Sequence, residues 1–205
     1  MSVQSDVTAV TITADTLAAD DDGISANAAV GNNAALTIGG ALADGGSVTL
    51  SNARKVTITS AGDDDGISFT IVGTDINGTA QTESLTGADS GVATSAAFFL
   101  TLASITAVGD PAGNVKAGIS ADSSSIVFSG RARLKGSFLT STATAGTIDF
   151  LTTSTAGTSL MKISSVASAT ATRDVVIPEN GVLFTDGIFL QYTVSTFLTM
   201  TVFHA

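Results

Sequence analysis

The 205-residue chain contains no cysteine and no tryptophan. It has one tyrosine (Tyr192), one histidine (His204) and only two glutamates, Glu83 and Glu179. Without cysteine there is no disulfide, no thiolate metal site and no thiol nucleophile. A single histidine next to the end of the sequence offers little general acid–base chemistry unless partners arrive from elsewhere. Lys and Arg together number 8 against 18 acidic residues, a net charge of −10. Such a balance argues against nucleic acid as a partner, because neutralising phosphates requires clustered basic groups. Long apolar runs are missing too. The most apolar segment, 96–108, is interrupted by Thr101, Ser104 and Thr106 and is far short of the ~20 residues of a spanning helix. No membrane association is expected. Met1–Asp6 carries no basic residue ahead of an apolar run, so no signal peptide is expected either.

What the sequence does have is Gly, Ala, Ser and Thr, with Val and Ile among them. That mixture favours strands over helices. Strand-like runs recur about every ten residues: 7–13, 34–38, 47–50, 55–60, 67–72, 80–86, 97–102 and 115–119, then 126–128, 132–140, 146–152, 159–164, 174–177, 181–184, 188–194 and 197–203. In Val56-Thr57-Ile58-Thr59 and Ser68-Phe69-Thr70-Ile71, apolar and hydroxyl side chains alternate, the period of a half-buried strand. In the last run Leu198, Met200 and Val202 fall on one face, and Thr199, Thr201 and Phe203 on the other. Gly87 to Phe99 is the one candidate for a turn or two of helix. The expected fold is all-β, two small β-sandwich or jelly-roll-like domains with little or no helix.

Charge suggests where to divide the chain. Residues 1–127 hold 3 basic and 14 acidic groups, a net of −11, and residues 128–205 hold 5 and 4, a net of +1. The polar run Ser120–Ser125 lies at this change and reads as a flexible boundary. An acidic domain 1–127 would then be solvated, and a near-neutral domain 128–205 would be free to pack against something.

One phrase occurs twice, "AADDDGIS" at 18–25 and "AGDDDGIS" at 61–68. A calcium loop sets its ligands at alternate positions and closes with a distant Glu. Consecutive carboxylates in an extended chain do not converge, and no Glu follows at the right distance. The turn reading is stronger: Asp caps backbone amides, Gly supplies a positive φ and Ile-Ser opens a strand. Asn77-Gly78 within Thr74–Thr79 marks a hairpin tip. If calcium is held by these turns, Asp63, Asp65, Asp75 and Asn77 are its candidate ligands. Gly39-Gly40 and Gly45-Gly46 read as loops, since no helix start or Lys follows to make a phosphate cradle. Arg131, Arg133 and Lys135 put three positive charges on one strand face; they read either as a surface docking on an acidic neighbour or as an edge guarded against unwanted pairing. Phe184, Phe189, Phe197 and Phe203 read as core. No catalytic residue and no cofactor is expected.

Two stretches carry a resemblance. One is Thr59–Thr70, continuing through Gly73-Thr74-Asp75 and Gln81-Thr82-Glu83. The other is Ala169-Thr170-Ala171-Thr172 with Val176–Phe184, closing on Val202-Phe203. Together they resemble virion structural proteins of tailed bacteriophages from aquatic hosts, over most of residues 55–205. Residues 1–54 are not well covered and read as an extension. The resemblance implies a non-enzymatic β-rich building block, present in many copies on the outer surface of the particle. The leading expectation is a capsid decoration (cement) protein, its partners the major capsid protein and sister subunits, as a homo-oligomer for which a trimer would match local threefold points. The alternatives are a tail, neck or fibre component that joins tail parts or binds a host glycan, and, given little weight, a glycan hydrolase or lyase.

Overall fold

The computed structural model describes residues 6–153, 157–165 and 170–205; Met1–Ser5 of the expected leaderless start and Ala169 of the second phrase lie outside them. The described residues contain strands and turns and no helix. In chain order the strands are β1 (Thr8–Thr13), β2 (Asp20–Ala29), β3 (Ala43–Asp44), β4 (Ser47–Ser60), β5 (Ser68–Thr74), β6 (Ala80–Thr86), β7 (Val92–Val108), β8 (Asn114–Ser129), β9 (Ala132–Ser141), β10 (Gly146–Leu151), β11 (Ser159–Ser165), β12 (Thr172–Val176), β13 (Val182–Phe184), β14 (Gly187–Thr193) and β15 (Phe197–His204). They form antiparallel sheets in a β-sandwich-like, all-β fold, as the alternation of apolar and hydroxyl residues predicts.

The chain divides differently from the single cut expected at 127/128. One unit is Ala18–Ser123, here the inserted unit; the other joins Met1–Leu17 to Ser124–Ala205, here the terminal unit. The reason is pairing: β1 lies antiparallel to β15 over six consecutive registers, Thr8 opposite His204 through Thr13 opposite Thr199. Charge follows the new division. The inserted unit holds 3 basic and 12 acidic residues, net −9, and the terminal unit 5 and 6, net −1. Ser120–Ser125 is no flexible linker, because it lies within β8, and Ser123 and Ser124 are fully buried.

In the terminal unit one sheet runs β1-β15-β9-β12, with β13 also on β9. The second runs β11-β10-β14 and then β8. Leu134, Leu139, Met200 and Val202 of the first share a buried apolar cluster with Ile148, Phe150, Ile188 and Leu190 of the second. Leu198 departs from the alternation and is 52% exposed. The register slips between Phe197 and Thr199, which turns this one residue outward.

In the inserted unit the order is β8-β4-β7-β5-β6, with β2 on β8 and β3 on β4. The expected helical turn at 87–99 is instead the approach to β7 and its first half. Its Thr94 and Phe98 pair with Thr57 and Lys55 of β4, and burial of Phe98 and Phe99 outweighs alanine's helix preference. The runs 47–50 and 55–60 merge into β4, while 34–38 forms only an isolated bridge, Ala35 to Thr106. Ala96 N–H and Ala97 N–H in β7 donate to the two carboxylate oxygens of Glu83, at 2.8 and 2.9 Å. Charge-assisted bonds of this kind are the strong ones. Glu83→Ala should therefore cost about 2 kcal/mol in urea denaturation, with Glu83→Gln retaining part of it.

Candidate interaction surface

The first sheet of the terminal unit presents a regular outer face. Its registers stack into three rows across β1, β15, β9 and β12. Ala9, Phe203, Gly136 and Val176 make one row, and Thr11, Thr201, Phe138 and Asp174 the next. The third consists of four threonines, Thr13, Thr199, Thr140 and Thr172. Thr11 and Thr201 join hydroxyls at 3.0 Å across the strands. Phe138 is 43% and Val176 77% exposed. These twelve positions carry one charge, Asp174; Arg133 and Lys135 of β9 lie just beyond the first row. With strands ~4.8 Å apart and same-face residues ~6.8 Å apart, the face spans on the order of 300–400 Å². A nearly uncharged, partly apolar patch of that size is a candidate contact surface. Phe203, expected in the core, belongs to this face; Phe184, Phe189 and Phe197 are buried as expected.

Two of the three cationic residues expected as a docking face are engaged by the chain's own loop. Arg131 precedes β9 and is exposed, while Arg133 and Lys135, half-buried on the side of β9 opposite the core residues Ala132 and Leu134, reach the chain's own loop. Arg133 Nη1 donates to the Asn180 carbonyl and Lys135 Nζ to the Glu179 carbonyl, each at 3.3 Å. This loop holds Glu179 and Gly181 at positive φ, 56° and 72°. A Cβ at Gly181 would meet the Leu134 carbonyl oxygen at 2.2 Å, so the turn requires glycine there. Neither the docking nor the edge-guard reading foresaw this bracing role.

The repeated aspartate phrase takes two conformations. At 63–66 it is the expected turn: Asp65 N–H donates to Asp63 Oδ1, and Ile67 N–H to the Asp64 carbonyl. Asp64 is fully buried, and its Oδ1 accepts from Ala112 N–H at 2.7 Å. At 20–22 the phrase lies in β2, with Asp20 opposite Ile119 of β8. A register shift after Asp20 gathers the carboxylates of Asp20, Asp21 and Asp22 within 4.8 Å of one another, against the expectation that consecutive carboxylates diverge. Lys116 forms an ion pair with Asp21 there. Neither Gly23 nor Gly66 adopts the expected positive φ. At Gly23 a Cβ would meet the Asp20 carboxylate at 2.7 Å, so a larger residue would displace that side chain.

The calcium candidates are not brought together into such a group. Asp63 and Asp65 are exposed. Asp75 is buried, and its Oδ1 accepts from the backbone N–H of Asn77 and Thr79 at 2.9 and 2.8 Å. With Gly78 at a φ of 78°, that is the hairpin tip predicted from Asn-Gly.

His204 is 5% exposed and its ring lies 4.8 Å from that of Phe128. Burial lowers its pKa below the ordinary histidine value. On acidification the unfolded chain is protonated first, so stability falls as pH drops below ~6.5 towards the folded-state value. Above that window the histidine is neutral in both states and contributes nothing to the slope. The unfolding midpoint of the terminal unit is expected to drop between pH 7.5 and 5.5, and His204→Phe to flatten that drop.

Sequence reasoning missed the outer face, because its rows draw neighbours from both ends of the chain. No protein-family model and no curated protein matches this chain.

Proposed function

We propose that the protein is a structural component of a phage virion, a decoration (cement) protein that binds the head shell and stabilises it. The observation that carries this reading is the nearly uncharged outer face of a near-neutral unit, in a chain whose other unit is strongly acidic. Copies of such a chain repel one another through their inserted units and meet without penalty on the threonine face. A face of this size is well under the ~800 Å² per partner of a standard interface. It suits a weak contact repeated many times, which adds up across a lattice of shell subunits and sister copies. Binding that favours the assembled shell over its free subunits raises resistance to internal pressure by mass action. The resemblance of residues 55–205 to tailed-phage structural proteins supports the reading independently.

The test is the copy number of this chain in purified particles, by quantitative mass spectrometry against the major shell protein. Decoration requires a ratio near one to one or one to three. A few copies per hundred shell subunits would sink it in favour of a tail, neck or fibre position, and absence from particles would sink the virion reading altogether.

A further inference from the structure

The sheet edges of this protein differ in how they are guarded. β12 carries Arg173 and Asp174, β11 carries Lys162, β6 carries Glu83, β2 carries Asp20 to Asp22, and β3 carries Asp44. β13 is three residues long. Charge and brevity are the usual protections of an edge. β1, Thr-Ala-Val-Thr-Ile-Thr, has none of them. It contains no charge, no proline and no glycine, its register with β15 runs without a bulge, and among the described residues it pairs with no other strand. Its β-branched composition is that of a strong strand former.

We infer that the β1 edge is a self-association site, pairing antiparallel with β1 of a second copy of this chain about a twofold axis at Thr11. Thr11 is the middle of the exposed row Ala9, Thr11 and Thr13, so a twofold there overlaps the whole of that row. Ala9, Thr11 and Thr13 lie on the outer face, and Val10 and Ile12 pack towards the core. Opposed residues of an antiparallel pair share a face. A twofold at Thr11 sets Thr11 against Thr11 of the second copy, Ala9 against Thr13, and Val10 against Ile12, so each face meets its like. Such an isologous contact closes on itself and consumes the edge that, among the described residues, is the one without charge or brevity to guard it. Charge points the same way: the chain carries −10, yet the strand carries none and its unit only −1. A second copy meets no like charge on this strand.

The pairing also alters the outer face. Four strands become eight and the three rows run on across the axis, doubling the area of the face to roughly 600–800 Å², close to the per-partner area of a standard interface. In this use the inference rests on the decoration reading; the pairing itself does not.

The chain has no cysteine, so Thr11→Cys introduces a single thiol at an exposed position. In the proposed pair the Cα atoms of position 11 in the two copies lie about 4.5–5.5 Å apart, within disulfide reach. Ala9→Cys, four residues out of register with its own copy, is separated by about 13 Å and cannot bridge. With purified full-length protein and diamide as oxidant, Thr11→Cys should form covalent dimer at least about tenfold faster than Ala9→Cys. A mixture of Ala9→Cys with Thr13→Cys should cross-link as the heterodimer. Thr11→Lys, whose fold is checked by an unchanged circular-dichroism spectrum, should abolish concentration-dependent dimer in sedimentation. Equal slow rates for Thr11→Cys and Ala9→Cys overturn the inference. So does cross-linking of Thr11→Cys to a different virion protein in particles while the pure chain stays monomeric. Copy number in particles reports on the decoration reading alone, so the two fail separately.

Discussion

Replacing Arg54 with alanine is expected to lower the stability of the inserted unit by about 3–5 kcal/mol, the range for truncating a large, fully buried side chain. Arg54 lies in β4 and is fully buried, the largest side chain to be so. Its Nη2 donates to the carbonyl of Ser120 in β8, tying two neighbouring strands through a charge-assisted bond. Next to it Lys55 Nζ lies 3.8 Å from an Asp122 carboxylate oxygen and 5.3 Å from the centre of the Phe98 ring. Truncation removes the bond and leaves a void where the guanidinium and its stem were packed. Arg54→Met fills most of that volume without bringing a charge into the interior. Apolar replacements of buried ionic groups are often neutral, so methionine should recover most of the loss. Arg54→Lys keeps the charge but not the planar fork, and should fall between the two. Urea denaturation followed by a probe in the inserted unit checks the order. A loss below about 1 kcal/mol for alanine would mean that the buried guanidinium adds nothing net.

The second large effect is expected at a glycine with an ordinary backbone conformation. Gly73 in β5 has no positive φ, yet a Cβ there would stand 1.9 Å from the Thr101 carbonyl oxygen and 3.1 Å from the Phe99 ring. The register between β5 and β7 shifts between Val72 and Gly73, so the two backbones approach more closely than a regular ladder allows. Backbone cannot swing aside as a flexible side chain can. Gly73→Ala should cost on the order of 3 kcal/mol, the upper part of the overpacking range. Gly66→Ala is the matched control. It meets nothing within 4 Å, has no positive φ, and should stabilise by about 0.4–1 kcal/mol by restricting the unfolded chain. Thermal unfolding of both variants checks the contrast, and equal midpoints would overturn the close-approach argument.

Much of the strand pattern is legible from alternation. The run 80–86 coincides with β6, and the Thr-rich run at the end of the chain is β15. The long strands are harder, because their interruptions read as loops. Asn52, Arg54 and the serines 123–125 look like breaks, but hydrogen bonds and burial hold them within β4 and β8. The aspartate phrase shows the limit of local reading. Asp20–Asp22 is held extended by pairing with β8, whereas Asp63–Asp65 turns around a buried Asp64, and the local residues are nearly the same. The cationic residues are legible as a group at the start of β9. Their partners are not, since the Glu179 and Asn180 carbonyls lie more than forty positions away. The outer face needs β1 beside β15, a pairing across 190 positions between Thr11 and Thr201 that no short window contains.

That same pairing sets a clock on synthesis. Chains emerge at ~5–20 residues per second and domains tend to fold as they appear. The inserted unit is complete when Ser123 has been made, while β1, made first, waits for β15, made last. The delay between them is roughly 10–40 s at those rates. Throughout it, six strand-forming residues have no intramolecular partner from β15, and nascent chains on the same message pass close by. An acidic unit already folded on each nascent chain keeps neighbouring chains apart by like-charge repulsion. The charge asymmetry of this protein thereby acts before the chain is finished, as a guard over its own unfinished sheet.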